Sequence, residues 1–344
     1  MTKNNELLVQ PRTAAILMTY QCTAACDECC FSCSPHLTGT ALTYEKIKSF
    51  LDQVSEIPSI KIVVFSGGEC FLDFELLKQC IQYATQLGLL TRCVSNGFWA
   101  KNLEQARQKM HSLKSVGLHE MNFSTGDSHQ QFVPVDSVLN GTIASVEESL
   151  YTCIAVETNS SKKFTAEDFK KHPLYLEYLA STSKEKFVKV MPATWVSFHT
   201  DNVYDFNQKI EYDPNDQGCE GMFDTISLEA RGDVVGCCGI TSNDIEEFHL
   251  GKLSNQNLDE MLENHQNDFL KIWIFVDGPK KVMEQVAEWT KEEVPFYAHK
   301  CLYCAALYNN PSFLKAIQEN YLTVKEDVLS RFLSKSVVFN MAGA

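Results

Sequence analysis

The chain has 344 residues, 44% of them hydrophobic, and a formal net charge of −14. That length suits one large domain or a domain with an appendage, with enough apolar content for a sizeable core. The acidic balance argues against duplex DNA or RNA as a partner, since those binders need a basic footprint. The start, MTKNNELLVQ, lacks a basic region followed by an apolar stretch, so no signal peptide is read. No apolar run reaches the ~18 residues of a membrane span. Fourteen cysteines in such a chain point to metal or redox chemistry in a reducing cytoplasm rather than to disulfides.

From residue 14 to about 195 strand-like and helix-like segments alternate. AAILMTY (14–20) reads as a buried strand. Thr43 is placed to cap the helix TYEKIKSFLDQVSEI, with Lys46 where a capping box would want Glu. IKIVVFS (60–66) is β-branched and apolar, hence a second strand. It ends at Gly67-Gly68, and 73–87 reads as the next helix. LLTRCVS (89–95) is a third strand, ending at Asn96-Gly97, with a helix from about 101 to 116. LHEMNFS (118–124) is a fourth strand and SLYTCIAVE (149–157) a fifth. FTAEDFKKHPLYLEYLA is helical but broken near Pro173, and KFVKVMPATW (186–195) is a sixth strand.

This alternation predicts an α/β fold with a parallel sheet and right-handed crossovers. Beyond about 200 the pattern changes. TISLEARGDVVGC reads as two short strands around Arg231-Gly232, followed by a long helical stretch over roughly 255–291. The expected organisation is residues 1–200 as one domain and 201–344 as a cysteine-rich appendage with C-terminal helices.

The chemistry-bearing residues follow strand ends, the rim where barrel active sites sit. Cys22, Cys26 and Cys29 form C-T-A-A-C-D-E-C after the first strand. Three thiolates can hold three irons of a [4Fe–4S] cluster and leave the fourth open. Cys30 and Cys33 leave a closed zinc site of Cys26, Cys29, Cys30 and Cys33 as the alternative, or else they pack the loop. Ser66-Gly67-Gly68-Glu69 follows the second strand; two glycines allow close backbone approach to a ligand, and the carboxylate suits a charged amino group. Asn96 follows the third strand in what could be a plain turn. Ser124 and Asp127 follow the fourth, as ribose-binding groups or as an ordinary helix start, with His129 nearby. The second cysteine set is Cys219, Cys237, Cys238, Cys301 and Cys304. Successive residues of an extended strand face opposite ways, so only one of Cys237 and Cys238 should join Cys219, Cys301 and Cys304 in a four-thiolate site, zinc or a second [4Fe–4S] cluster.

The CxxxCxxC spacing resembles that of radical S-adenosylmethionine (SAM) enzymes, and the six β/α units match their partial (β/α)6 TIM-type barrel. C-D-E-C-C-F-S-C-S-P, F-S-G-G-E-x-F-L-D, S-N-G-F-W, Cys219-x4-Asp224 with the Cys237-Cys238 doublet, and the late CxxC are similar to the epipeptide epimerases of the SPASM/twitch group, over residues 14 to 310. The resemblance implies that the open iron and the GGE segment bind SAM. It implies that Cys219, Cys237, Cys301 and Cys304 hold an auxiliary [4Fe–4S] cluster, that Cys238 donates a hydrogen atom and that Asp224 lies near the substrate. The implied activity converts L- to D-residues in a ribosomally made precursor peptide, with an electron donor such as flavodoxin or ferredoxin. The fourth-strand loop, Thr125-Gly126-Asp127-Ser128, departs from the family pattern. The alternatives are a maturase forming thioether or carbon–carbon crosslinks, and a non-catalytic zinc-binding interaction protein.

Overall fold

In a computed structural model, residues 7–158, 163–194, 218–297 and 299–342 are described. Trp195, the last residue of the expected sixth strand, and the expected boundary near residue 200 lie outside them. Six parallel strands follow in chain order: β1 (Thr13–Leu17), β2 (Ile62–Ser66), β3 (Leu90–Ser95), β4 (Glu120–Thr125), β5 (Tyr151–Thr158) and β6 (Val188–Thr194). Three more come from the C-terminal region: β7 (Thr225–Leu228), β8 (Asp233–Val235) and β9 (His249–Lys252). All nine form one sheet in the order β6-β5-β4-β3-β2-β1-β7-β8-β9. β7 runs parallel to β1, with Thr13 opposite Thr225, and β8 and β9 return antiparallel. The architecture is an α/β partial barrel of TIM type.

The period-2 alternation of each strand separates two environments. Ile16, Phe65, Cys93 and Met121 are fully buried against the outer helices. Ala15, Val64 and Val94 face a lumen instead. The outer helices include Tyr44–Ser55, Phe74–Gln86 and Leu103–Ser115, each with a side-chain cap at Thr43, Asp73 or Asn102. At Pro173 the chain breaks into helices Ala166–Lys171 and Pro173–Tyr178, because His172 is extended before the proline.

A further crossover helix, Val135–Glu147, is missing from the sequence reading. It is buried nearly all round, including Asn140, Gly141 and Thr142, so its amphipathic signal is weak. Gly141 is there for packing: a Cβ would stand 2.7 Å from the Phe123 ring.

The stretch 255–291 is three helices rather than one: Leu258–Gln266, Phe269–Asp277 and Pro279–Thr290. Asp268 ends the first break by capping the Leu270 and Lys271 amides, and Gly278 turns the second at φ 81°. With helices Lys300–Tyr308, Pro311–Asn320 and Leu322–Ala342 they enclose a second apolar core around Phe223, Trp273, Phe275 and Phe332.

His265 joins this core to the β7–β8 hairpin. Its Nε2 bonds the Met222 carbonyl at 2.8 Å, and its ring lies so close to Gly236 that a Cβ there would sit 2.6 Å from it. Burial, helped by Lys271, pushes its pKa down to about 3. An unfolded histidine titrates near 6.5, so between those values the unfolded chain binds the extra proton. Stability is therefore full above pH 6.5 and falls on acidification, by up to about 1.4 kcal/mol per pH unit. Denaturant titrations of the wild type and His265→Gln at pH 7, 6 and 5 should show a shallower acid loss in the variant. Parallel pH profiles would reject this role.

Candidate active site

The cysteine loop leaves β1 at Leu17 and folds back over the strand ends. Gly68 N–H donates to the Thr19 carbonyl at 2.6 Å and Glu69 N–H to the Gln21 carbonyl at 3.0 Å, so the β1–β2 pairing continues into the loop. Only glycine permits this approach. A Cβ at Gly67 would stand 2.5 Å from the Thr19 oxygen and one at Gly68 2.3 Å from the Gln21 oxygen.

Glu69 is fully buried. Its carboxylate accepts from the Phe71 amide at 3.0 Å, the Ser95 hydroxyl at 2.9 Å and the Asn96 amide at 2.9 Å. Burial nonetheless pushes its pKa up to about 7 against those donors. The carboxylate thus faces the protein beneath the rim, whereas the sequence reading aims it at a ligand amino group. Asn96 lies on the rim, with Nδ2 donating to Thr23 Oγ1 at 3.0 Å and to Cys22 Sγ at 3.5 Å.

The three thiols, Gly67, Gly68, Asn96, Ser124 and His129 border a cavity of about 240 Å³. Asp127 is turned elsewhere, accepting from the Lys163 and Phe164 amides at 2.6 and 3.2 Å. His129 Nδ1 pairs with buried Glu157 at 2.8 Å. Ser128 bonds both Glu157 and Glu28, tying the cysteine loop to the ends of β4 and β5. Gly126 is needed for this network, because a Cβ would collide with the Glu157 side chain.

Burial pushes Cys22 up to about 11 and Cys26 up to about 12, whereas a hydrogen bond with Cys33 pulls Cys29 down to about 6. Cys33 is buried against Cys29, its amide donating to that sulfur at 3.4 Å. Cys30 also borders the cysteine-loop cavity; burial raises its thiol well above the ordinary value, with Cys29 and, more weakly, Cys301 and Asp244 adding to it.

In that second set, Cys237 and Cys238 face different surroundings. Cys237 Sγ accepts from the Gly239 amide at 3.2 Å. A Cβ at Gly239 would stand 3.3 Å from that sulfur and 3.0 Å from Cys301 Sγ, so the missing side chain leaves the space between them. Cys219, Cys237, Cys301 and Cys304 act on one another electrostatically; burial and that mutual repulsion raise Cys237 and Cys304 well above the ordinary thiol value. Cys237 and Cys238 both border a second cavity, of about 360 Å³, that occupies the barrel lumen, Cys238 as an exposed thiol and Cys237 as a buried one. The pKa of Cys238 is raised by burial within the protein around that cavity, against a hydrogen bond with Thr225.

Asp224 stands at the N-terminal end of β7, at the same level, bonded to the Arg12 guanidinium and bordering the lumen. The lumen and the cysteine-loop cavity share Phe31, Ser66 and Val94 in their walls. A clamp unforeseen in the sequence holds the two regions together: Tyr20 bonds buried Glu229, and Asn243 donates to the Tyr20 oxygen at 3.0 Å.

Both sets offer the thiol donors that iron–sulfur groups take, while among the described residues no three such side chains converge on a single metal ion. N–H groups are directed at the Cys22, Cys29 and Cys237 sulfurs, the kind of hydrogen bond that tunes such clusters. Cys22, Cys26 and Cys29 would hold one group with a position open to the cavity. Cys219, Cys237, Cys301 and Cys304 would close around another. Loading either set must displace thiol protons.

The fold is a partial barrel of TIM type with a cysteine-rich C-terminal region, and its cysteine pattern resembles that of radical SAM enzymes of the SPASM/twitch group. No family model matches the chain. It is 24% identical over 307 residues to YydG of Bacillus subtilis (strain 168), a protein assigned by name to peptide biosynthesis, across 87% of this chain and 92% of that one. The solved structure of native anSMEcpe with bound AdoMet and the Cp18Cys peptide superposes with a TM-score of 0.55 at 12% identity, covering 92% of this chain and 99% of that one. Histidine-tagged anSMEcpe with bound AdoMet gives 0.53 at 12% identity, over the same shares.

The buried Glu69 network yields a test. Glu69→Ala would strand the Ser95 hydroxyl and the Phe71 and Asn96 amides, at about 1–3 kcal/mol for each buried group left unpaired. The variant should melt lower, which calorimetry measures, because three buried donors lose their acceptor. Unchanged melting would reduce the network to ornament.

Proposed function

We propose that this chain is a radical SAM enzyme that inverts residues of a ribosomally made peptide from the L to the D configuration. The observation that carries the reading is Cys238, an exposed thiol on the lumen wall beside a buried doublet partner whose sulfur lies with that of Cys301 around Gly239. The likeness to a peptide biosynthesis protein and the fold shared with a peptide-bound structure support a peptide substrate. In this reading residues 1–200 are the SAM-cleaving barrel and 201–344 the auxiliary part, and the protein works in the cytoplasm. No described helix is long and apolar enough to cross a membrane.

When bound, the cluster on Cys22, Cys26 and Cys29 would supply the electron that splits SAM into methionine and a 5′-deoxyadenosyl radical. The chain's residues set the rest. The backbone of Gly67 and Gly68, with Asn96 and Ser124, would hold SAM against the cysteine loop. The shared wall of Phe31, Ser66 and Val94 lets a peptide residue in the lumen meet SAM on one face and Cys238 on the other. Transfer of the Cα hydrogen atom to the 5′-deoxyadenosyl radical, which would become 5′-deoxyadenosine, would leave a planar Cα radical. Homolysis of the Cys238 S–H bond gives the new C–H bond on the opposite face and leaves a sulfur-centred radical. One electron from a donor such as flavodoxin or ferredoxin, and one proton, restore the thiol.

Its setting on the lumen wall suits Cys238 to this work. Its raised pKa keeps the hydrogen on sulfur at neutral pH, and the nearby Asp224 adds to that effect. Asp224, held by Arg12, is placed to accept a hydrogen bond from a peptide amide in the lumen.

Cys238→Ala should still cleave SAM and abstract the peptide hydrogen, yet form no D-residue. In deuterated water the wild type should place one deuterium in each inverted residue, because a thiol proton exchanges with solvent. Peptide mass in ordinary water should not change. A Cys238→Ala enzyme forming product at the wild-type rate, or a product two hydrogens lighter, would overturn the reading in favour of a crosslinking maturase. A second test concerns the metal: about eight irons per chain are expected after anaerobic reconstitution, and about four in a triple Ala variant of Cys22, Cys26 and Cys29. Zinc in place of iron would sink both assignments.

A further inference from the structure

A cavity of about 950 Å³ lies outside the lumen, between helix Leu322–Ala342, the end of helix Phe269–Asp277 and the turn at 218–221. Its charge runs against that of the molecule. Five cations line it, Arg12, Lys281, Lys300, Arg331 and Lys335, against two carboxylates, Glu220 and Asp277, in a chain whose net charge is −14. Arg331 grips Asp277, and Lys335 donates to the Phe275 carbonyl at 2.8 Å. Lys281 and Lys300 have no carboxylate partner among the described residues. The groove also has apolar ground. Val276 and Phe339 line it, and Val338 is 67% exposed.

We propose that this groove docks an acidic, amphipathic segment of the peptide substrate, outside the residues that react. The inference rests on the peptide reading above. Charge complementarity selects the occupant: two unpaired lysines call for carboxylates, and exposed Val338 calls for an apolar side chain beside it. The site is also next to the chemistry. Arg12 lines the groove with its guanidinium 3.8 Å above the Phe339 ring, and it bonds Asp224, which lines the lumen. That ion pair is the partition between the two spaces. A peptide anchored in the groove would have its next residues at the level of Asp224 and Cys238.

The test uses the reconstituted holoenzyme and three fluorescent probes: a synthetic peptide rich in Glu and Leu, its counterpart with Lys for Glu, and a single-stranded RNA oligonucleotide. The Glu peptide should bind, and less tightly as salt is raised. Lys281→Glu combined with Val338→Asp should lower its affinity by about tenfold or more, since like charges set together cost several kcal/mol. Lys281→Glu alone, with a fold and iron content equal to the wild type, should show part of that loss. Equal binding of the Lys peptide or the RNA, or affinity indifferent to both variants, would overturn the proposal. So would a dimer that the variants dissolve, because the groove would then belong to a second copy. Docking is read without turnover, so it can fail while the wild type still inverts a peptide. It can equally hold while the product proves to be a crosslink.

Discussion

A buried carboxylate sets the geometry of the rim. Burying Glu69 is unfavourable, and the donors from Phe71, Ser95 and Asn96 are what make it tolerable. In exchange, the ends of β2 and β3 cannot move independently. Ser95 also accepts from the Trp99 indole at 2.9 Å, and Trp99 stacks on Phe71 at 4.5 Å, so the aromatic packing behind the rim is locked to the same carboxylate. Asn96 passes the constraint forward to Thr23 and Cys22. The position of the first thiol thus depends on a side chain that touches no thiol.

The second cysteine set depends on a different device, the divergence of two neighbouring side chains. Cys237 is buried with its sulfur near Gly239 and Cys301 while Cys238 is exposed, although both border the lumen, so one short segment serves two environments. The Tyr20–Glu229 bond and the Asn243 donor hold that segment's region against the cysteine loop. Cys30, on the wall of the cysteine-loop cavity and within electrostatic reach of Cys301 and Asp244, occupies the boundary.

Much of the barrel was legible in the sequence, because each inner strand is an apolar run followed by a turn residue and a capped helix. Thr43 announces the first of those helices, and the structure adds caps at Asp73 and Asn102 for the next two. What escaped has physical reasons. Helix Val135–Glu147 is buried on nearly every side and carries no polar stripe to give it a period. The stretch after 255 reads as one helix because the breaks at Asp268 and Gly278 each depend on one or two residues. At the site, types and spacing marked the thiols and the glycines, but not where carboxylates would point. Glu69 turns inward and Asp127 turns to the 163–164 backbone. Ser95, which holds Glu69, Glu157, which holds Ser128 and His129, and Glu229, which holds Tyr20, are distant from their partners in the chain and ordinary in composition.

The place of β7 has a consequence for the order in which the molecule can be made. It covers the open edge of β1, more than 200 residues earlier in the chain, with Thr13 opposite Thr225. As the chain leaves the ribosome, the inner six strands can pair while that edge of β1 still shows unpaired N–H and C=O groups, a template for stray association. The edge is capped only when β7 arrives, and with it come Glu229 and the segment carrying Cys237 and Cys238. Synthesis, shielding of the edge and completion of the lumen wall are therefore one late event.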